Sequence, residues 1–236
     1  MIQFFAPDIL KNPTLPESDS QHCIRVLRMN AGDEVEVIDG CGYRYKCRII
    51  DPHPKHTQLD IISKEKIEKP WRGSITVAVA PTKHLDRMEW MVEKLTETGI
   101  DRIVPVLCRR SERKELKPER LQKIAVSAMK QSLKAELPEI ARMTPLTEFL
   151  RGCSATRKFV AYCDKNCERR TLAKIVEPFE DTAILIGPEG DFSPEEISEA
   201  ITSGFMPVTL GDCRLRTETA ALAAVQTIHT INQLNQ

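Results

Sequence analysis

Val35-Glu36-Val37-Ile38 and Tyr43-Arg44-Tyr45-Lys46-Cys47-Arg48-Ile49 set apolar and polar residues in turn, the period of a strand with one buried face. Asp39-Gly40 between them is a hairpin signal. A third strand is expected over 58–63, and a short helix over 20–29 that presents Arg25 and Arg28 together, three positions apart. These elements predict a small, β-rich, barrel-like module. The charged stretch from Lys64 to Arg72, which holds Pro70, predicts its end, so that residues 1–70 form one domain and 71–236 another.

From Ser74 the pattern changes. Ile75 to Ala80 is a short continuous apolar run, as expected of a strand buried on both faces. His84 to Thr98 has Met88, Met91, Val92 and Leu95 on one stripe and predicts a helix. Further strands are expected over 102–107, 158–162, 182–186 and 206–210, with helices over 118–134, 194–203 and 217–232. Strands alternating with helices predict an α/β domain built on a mainly parallel sheet.

The chain has 236 residues, 41% of them hydrophobic, which suffices for a buried core and argues against global disorder. No apolar run approaches the roughly 18 residues needed to cross a bilayer. The opening Met1-Ile2-Gln3-Phe4-Phe5, soon followed by Pro7, Asp8 and Lys11, lacks the basic start and apolar middle of a signal peptide. A cytoplasmic protein with no membrane partner is expected. The 8 cysteines form no regular framework; Cys163 and Cys167 have no second Cys/His pair to complete a zinc site, so no metal is expected. Net charge is zero, but phosphate responds to the local field. Arg109, Arg110, Arg113, Lys114, Lys117 and Arg120, against Glu112, Glu115 and Glu119, leave one stretch at +3, which permits a nucleic-acid partner, although such runs are more often ordinary solvated faces.

Ligands of open α/β sheets bind beyond the carboxyl ends of the strands. One loop there is Ile186-Gly187-Pro188-Glu189-Gly190-Asp191-Phe192-Ser193-Pro194-Glu195-Glu196. Its glycines permit unusual backbone angles and remove side chains where a ligand would lie. Ser193 is the expected N-cap, Pro194 the first helical residue, and Glu196 closes a capping box. The other loop is Leu210-Gly211-Asp212-Cys213-Arg214-Leu215-Arg216, leading into Thr217-Glu218-Thr219-Ala220-Ala221. Two arginines and a glutamate gather at that helix start, where an anion is also favoured. Taken alone, both loops are equally compatible with well-capped turns.

Together, Gly187-Pro188-Glu189-Gly190 after an apolar strand, then Leu210-Gly211 and Leu215-Arg216-Thr217-Glu218-Thr219-Ala220, resemble the ribosomal RNA small subunit methyltransferase E family. The likeness extends over nearly the whole chain. It includes His22 with Val26-Leu27-Arg28 and Gly32-Asp33, Lys83 with Met88-Glu89, Lys94, Thr96-Glu97 and Gly99, and Gln131-Ser132 with Pro138-Glu139-Ile140. The resemblance implies an N-terminal PUA-like RNA-binding barrel and a C-terminal SPOUT domain whose last helix threads a loop in a deep trefoil knot. It implies an S-adenosylmethionine-dependent enzyme that methylates N3 of a uridine in 16S rRNA, acting as a homodimer on the rRNA or the small subunit. Cys213, Lys130 and Lys134 depart from the residues usual in the family at those positions.

On this resemblance Ile186, Gly187, Pro188, Glu189, Gly190, Leu210, Gly211, Leu215 and Thr217 are expected to hold the methyl donor. Uridine N3 must lose a proton before it attacks, and a cation would stabilise the resulting charge. Arg216, assisted by Arg214, is expected in that role or on a substrate phosphate; Glu218 is a candidate base or an orienting partner for Arg216. Arg25, Arg28, Arg44, Lys46, Arg109, Arg110 and Arg113 are expected to hold RNA backbone, while His22 and His84 are read as structural. A Rossmann-type donor site is disfavoured, because Gly40-Cys41-Gly42 sits in a hairpin with no following helix. Two rival readings stay open: a non-catalytic RNA-binding assembly factor, and a knotted methyltransferase acting on tRNA or a ribose 2′-hydroxyl.

Overall fold

The computed structural model describes residues 3–163 and 169–236. The Met1-Ile2 start and Cys167, the second cysteine of the pair weighed above, lie outside the described residues. Two compact units divide the chain: 1–70 with 126–137, and 71–125 with 138–236. A single boundary near residue 70 leaves the segment 126–137 out of the first unit.

The first unit contains β1 (Gln3–Phe5), α1 (Glu17–Gln21), β2 (Glu34–Ile38), β3 (Tyr43–Asp51) and β4 (Gln58–Lys66). The strands form one sheet in the order β1-β2-β3-β4, with β2-β3 and β3-β4 antiparallel and β1 parallel to β2. Alternation does what the sequence requires: Tyr45, Cys47 and Ile49 of β3 turn inward onto Phe4, Val37 and Leu59, while Arg44, Lys46 and Arg48 turn out. Asp39 holds the β2–β3 turn, its Oδ1 accepting the amides of Cys41 and Tyr43 at 2.8 and 3.1 Å.

The helix expected over 20–29 is shorter and differently wound. After α1, residues His22–Val26 make a wide π-type turn, closed by the Leu27 amide on the His22 carbonyl at 3.0 Å. Arg28 then adopts a left-handed backbone (φ 57°), so Arg25 and Arg28 do not share a helical face. Lys130, one of the departures from the family pattern, has a local reason in this unit. Its Nζ meets Asp19 Oδ1 at 2.6 Å, while Asp19 Oδ2 accepts the amide of Phe5 at 2.8 Å.

The second unit contains β5 (Ile75–Val79), α2 (Leu85–Thr98), β6 (Arg102–Leu107), the start of α3 (Pro118–Gln131), β7 (Glu139–Ile140), β8 (Thr144–Pro145), α4 (Leu146–Gly152), β9 (Arg157–Ala161), β10 (Arg170–Thr171), β11 (Thr182–Ile186), α5 (Pro194–Thr202), β12 (Met206–Thr209) and α6 (Thr217–Leu234). Every strand pairing in it is parallel, in the order β10-β12-β9-β11-β5-β6-β7, with β8 also on β6. All carboxyl ends therefore open on one edge. β11 is buried along its whole length, which its continuous apolar run anticipates. Met88, Met91, Val92 and Leu95 of α2 are fully buried, as are Ala221 and Ala224 of α6, which packs against α2, β5 and β11. Among the described residues no helix is long and apolar enough to cross a membrane.

Burial leaves a pH signature. Desolvation pushes the thiols of Cys23 and Cys47 up to about 11 and that of Cys108 to about 12. It also raises the Tyr45 hydroxyl to about 12, assisted by the hydrogen bond to Asp39 at 3.0 Å. Unfolding returns these groups to ordinary values near 9 and 10, so the unfolded chain releases their protons first. Their contribution to stability is complete below about pH 9 and declines as pH rises toward 11 and 12. Denaturant midpoints measured at intervals from neutral pH upward are expected to fall in that window. A midpoint flat through it would contradict the burial of these groups.

Candidate active site

The loop leaving β11 is built as its sequence demands. The Ser193 hydroxyl accepts the Glu196 amide at 3.3 Å and the Glu196 carboxylate accepts the Ser193 amide at 2.8 Å, with Pro194 as first helical residue. Pro188 and Asp191 close a turn, the Asp191 amide donating to the Pro188 carbonyl at 2.9 Å. Neither Gly187 nor Gly190 uses the positive φ that glycine permits. The left-handed residue is Asp191 (φ 59°), whose carboxylate accepts the amides of Phe192 and Cys163 at 2.9 Å each. Gly187 is needed for space instead: a Cβ there would meet the buried Phe192 ring at 2.9 and 3.1 Å.

In the loop leaving β12, Gly211 adopts φ 125° with nothing within 4 Å of where its Cβ would lie. Thr209 Oγ1 bonds to both the carbonyl and the amide of Gly211, at 2.9 and 3.3 Å. From Gly211 to Arg214 the side chains are exposed; Leu210 and Leu215 are half-buried. The buried Thr217 Oγ1 donates to the carbonyl of Gly187 at 3.1 Å. That bond fixes the start of α6 against the β11 loop.

Arg214 and Arg216 are exposed and have no ion pair among the described residues. Glu218 has another cation beside it. Its side chain is only 9% exposed, Oε1 lies 3.8 Å from Nε of Arg87 on α2, and Oε2 has no hydrogen-bond partner among the described residues. Its cationic neighbour is thus Arg87 rather than Arg216, because the second residue of α6 turns toward α2 while Arg216 precedes the helix. Sequence reasoning missed Arg87. The signal for it was a carboxylate beside a small, buried helix face, which needs a cation nearby.

The profile of an RNA methyltransferase domain matches residues 69–229, and that of an RNA methyltransferase PUA domain matches residues 15–62. A ribosomal RNA small subunit methyltransferase E from Synechocystis sp. is 30% identical over 226 residues, covering 92% of this chain and 73% of the relative. The chain belongs to the ribosomal RNA small subunit methyltransferase E family. Among solved structures, a probable rRNA methyltransferase from Porphyromonas gingivalis superposes with a TM-score of 0.95 at 44% identity over 100% of both chains. A ribosomal RNA small subunit methyltransferase E from Neisseria gonorrhoeae, bound to S-adenosyl methionine, superposes with a TM-score of 0.86 at 28% identity over 98% of both.

Against the family pattern, Cys213 is exposed, with the exposed Arg214 following it. The cations read as RNA contacts fall into three groups. Arg25 and Arg28 are exposed without ion partners among the described residues. Arg44 reaches Glu36 and Glu65 at 3.7 and 3.4 Å, and Lys46 reaches Glu34 at 2.6 Å, so neighbouring strands already offset their charge. Arg109 pairs with Glu195 at 2.9 Å, and Arg110 and Arg113 donate to backbone carbonyls of nearby loops. His22 is exposed with its ring edge-on to Phe4, and His84 precedes α2 as its N-cap without a side-chain bond.

A cavity of about 410 Å³ lies near the amino ends of β5 and β6, away from these loops. Arg102 and Glu139 pair there at 3.1 Å, as do Arg142 and Glu148 at 3.5 Å. Among the described residues no group of three or more His, Cys, Asp or Glu side chains converges as metal ligands would.

Proposed function

We propose that this chain methylates N3 of a uridine in 16S ribosomal RNA, using S-adenosylmethionine held by the loops after β11 and β12. The observation that carries the reading is the Thr217–Gly187 hydrogen bond, which ties the start of α6, just after the Gly211 turn and two unpaired arginines, to the first glycine turn. The residues fit such a donor. Ile186, Leu210 and Leu215 offer apolar surface, and the amides of 212–216 have no backbone partner among the described residues, as an adenine ring and a ribose require. Gly187, Pro188, Glu189, Gly190, Gly211 and Thr217 complete the two turns. The solved Neisseria relative is bound to S-adenosyl methionine, which supports the choice of donor.

When bound, the donor supplies a methyl group on a sulfonium centre. The chain's part is positioning and charge. Arg216, with Arg214 beside it, offers a guanidinium to the negative charge that uracil gains when N3 loses its proton. Glu218, with its unpartnered Oε2 and with Arg87 at 3.8 Å from Oε1, is the carboxylate proposed for that proton. Residues 1–70 are proposed as the RNA-binding domain, with Arg25 and Arg28 on phosphate, and 71–236 as the catalytic domain with its last helix threaded in a knot. A homodimer acting in the cytoplasm on rRNA or the small subunit completes the reading.

Mass spectrometry of rRNA from a deletion strain tests the reading. Loss of one N3-methyluridine from 16S rRNA, restored by the intact gene, is expected. An unchanged 16S rRNA, or a methyl group lost from tRNA or a ribose instead, would overturn it.

A further inference from the structure

We infer that Arg110 and Arg113, on the segment after β6, are positioning residues that set affinity for the methyl donor by clamping the β11 loop; the inference rests on the donor reading above. The loops concerned leave β11, β5 and β6, which are neighbours in the sheet. Arg110 Nη1 donates to the carbonyls of Gly190 and Phe192 at 2.9 and 3.3 Å. Its Cβ and Cδ lie 3.4 and 3.6 Å from where a Gly190 Cβ would stand, so the side chain rests directly against the glycine turn. Arg113 donates through Nε to the Thr82 carbonyl at 3.1 Å and through Nη2 to the Lys83 carbonyl at 2.6 Å. The Lys83 amide in turn donates to Glu189 Oε1 at 3.0 Å. One residue away, the Arg109 amide donates to Glu196 Oε1 at 2.7 Å, the same carboxylate that closes the α5 capping box.

The segment therefore touches the β11 loop at Glu189, Gly190, Phe192 and Glu196, either directly or through the Lys83 amide. Arg110 holds both of its carbonyls through Nη1; in Arg113 the guanidinium fork suits the task because Nε and Nη2 of one rigid plane take two separate carbonyls at a fixed spacing. An ammonium cannot reproduce that geometry. Loops that recognise a nucleoside through their backbone depend on where those amides and carbonyls point. A basic run that reads as an RNA patch thus works on the donor side of the reaction.

The test compares Arg110→Ala, Arg113→Ala and Arg113→Lys in the full chain. Readouts are kcat, KM for S-adenosylmethionine, KM for an rRNA fragment, calorimetric Kd for S-adenosylhomocysteine, and the thermal midpoint. Donor KM and product Kd are expected to rise roughly tenfold in Arg110→Ala and in Arg113→Ala, as for loss of a charge-assisted bond. RNA KM and kcat are expected to stay within about twofold, the scatter of a surface change. Arg113→Lys keeps the charge but loses the fork, so it is expected to match Arg113→Ala; full rescue by lysine would overturn the inference. So would unchanged product affinity in both alanine variants, whether RNA KM or only the thermal midpoint moved. If the unsubstituted chain itself failed to bind S-adenosylhomocysteine, the donor reading would fall, and this inference with it.

Discussion

Arg216→Ala is expected to lower kcat by about 100-fold or more while leaving KM for S-adenosylmethionine nearly unchanged. The size follows from removing one preorganised charge or donor aimed at a developing anion, which costs about 10²–10³ in turnover in comparable sites. The selectivity follows from position. Arg216 is exposed, precedes α6 and has no intramolecular ion partner among the described residues, so its loss leaves the two turns and the Thr217–Gly187 bond intact. Arg214→Ala is expected to show a smaller loss, since it assists. Steady-state kinetics with an rRNA fragment separates the two parameters. Unchanged turnover in Arg216→Ala would remove that residue from the chemistry.

Gly187→Ala is expected to weaken donor binding and to destabilise the second unit together. The new methyl group would stand 2.9 and 3.1 Å from ring atoms of Phe192, which is itself buried and packed with Phe149 and Phe205 in the core beside the sheet. The ring cannot retreat freely, so the turn must move. Forcing a methyl into a packed site costs about 1–3 kcal/mol. If the same distortion is felt by the ligand, affinity falls about tenfold for each 1.4 kcal/mol. Calorimetry with S-adenosylhomocysteine and a denaturant titration measure the two effects. A variant with wild-type affinity and stability would mean that this turn tolerates a side chain and is not the tight feature described above.

How far the sequence could be read depended on the range of the interactions. β5 and β11 were legible because burial on both faces leaves a continuous apolar run, and α5 because its capping box is local to four residues, Ser193 to Glu196. β1, β7, β8 and β10, each three residues or fewer, were not, since pairing with a distant strand and not local pattern makes them strands. The helix expected over 20–29 failed at Arg28, where the backbone turns left-handed after a wide turn that no residue type announces. In the site, both glycine loops were legible as motifs. Their partners were not: Arg110 lies 80 residues from Gly190, Arg113 meets the loop after β5, and Arg87 meets Glu218 across two helices. A run of arginines reveals its charge in sequence, but only the fold reveals whether that charge faces phosphate or a carbonyl.

The measurement that bears most directly on these claims is a crystal structure of the full chain grown with S-adenosylhomocysteine. Density for the nucleoside is predicted between residues 186–190 and 210–217, with its base against Leu210 and Leu215. Density elsewhere, such as in the cavity lined by Arg102 and Glu148, or an empty cleft at saturating ligand, would contradict the assignment.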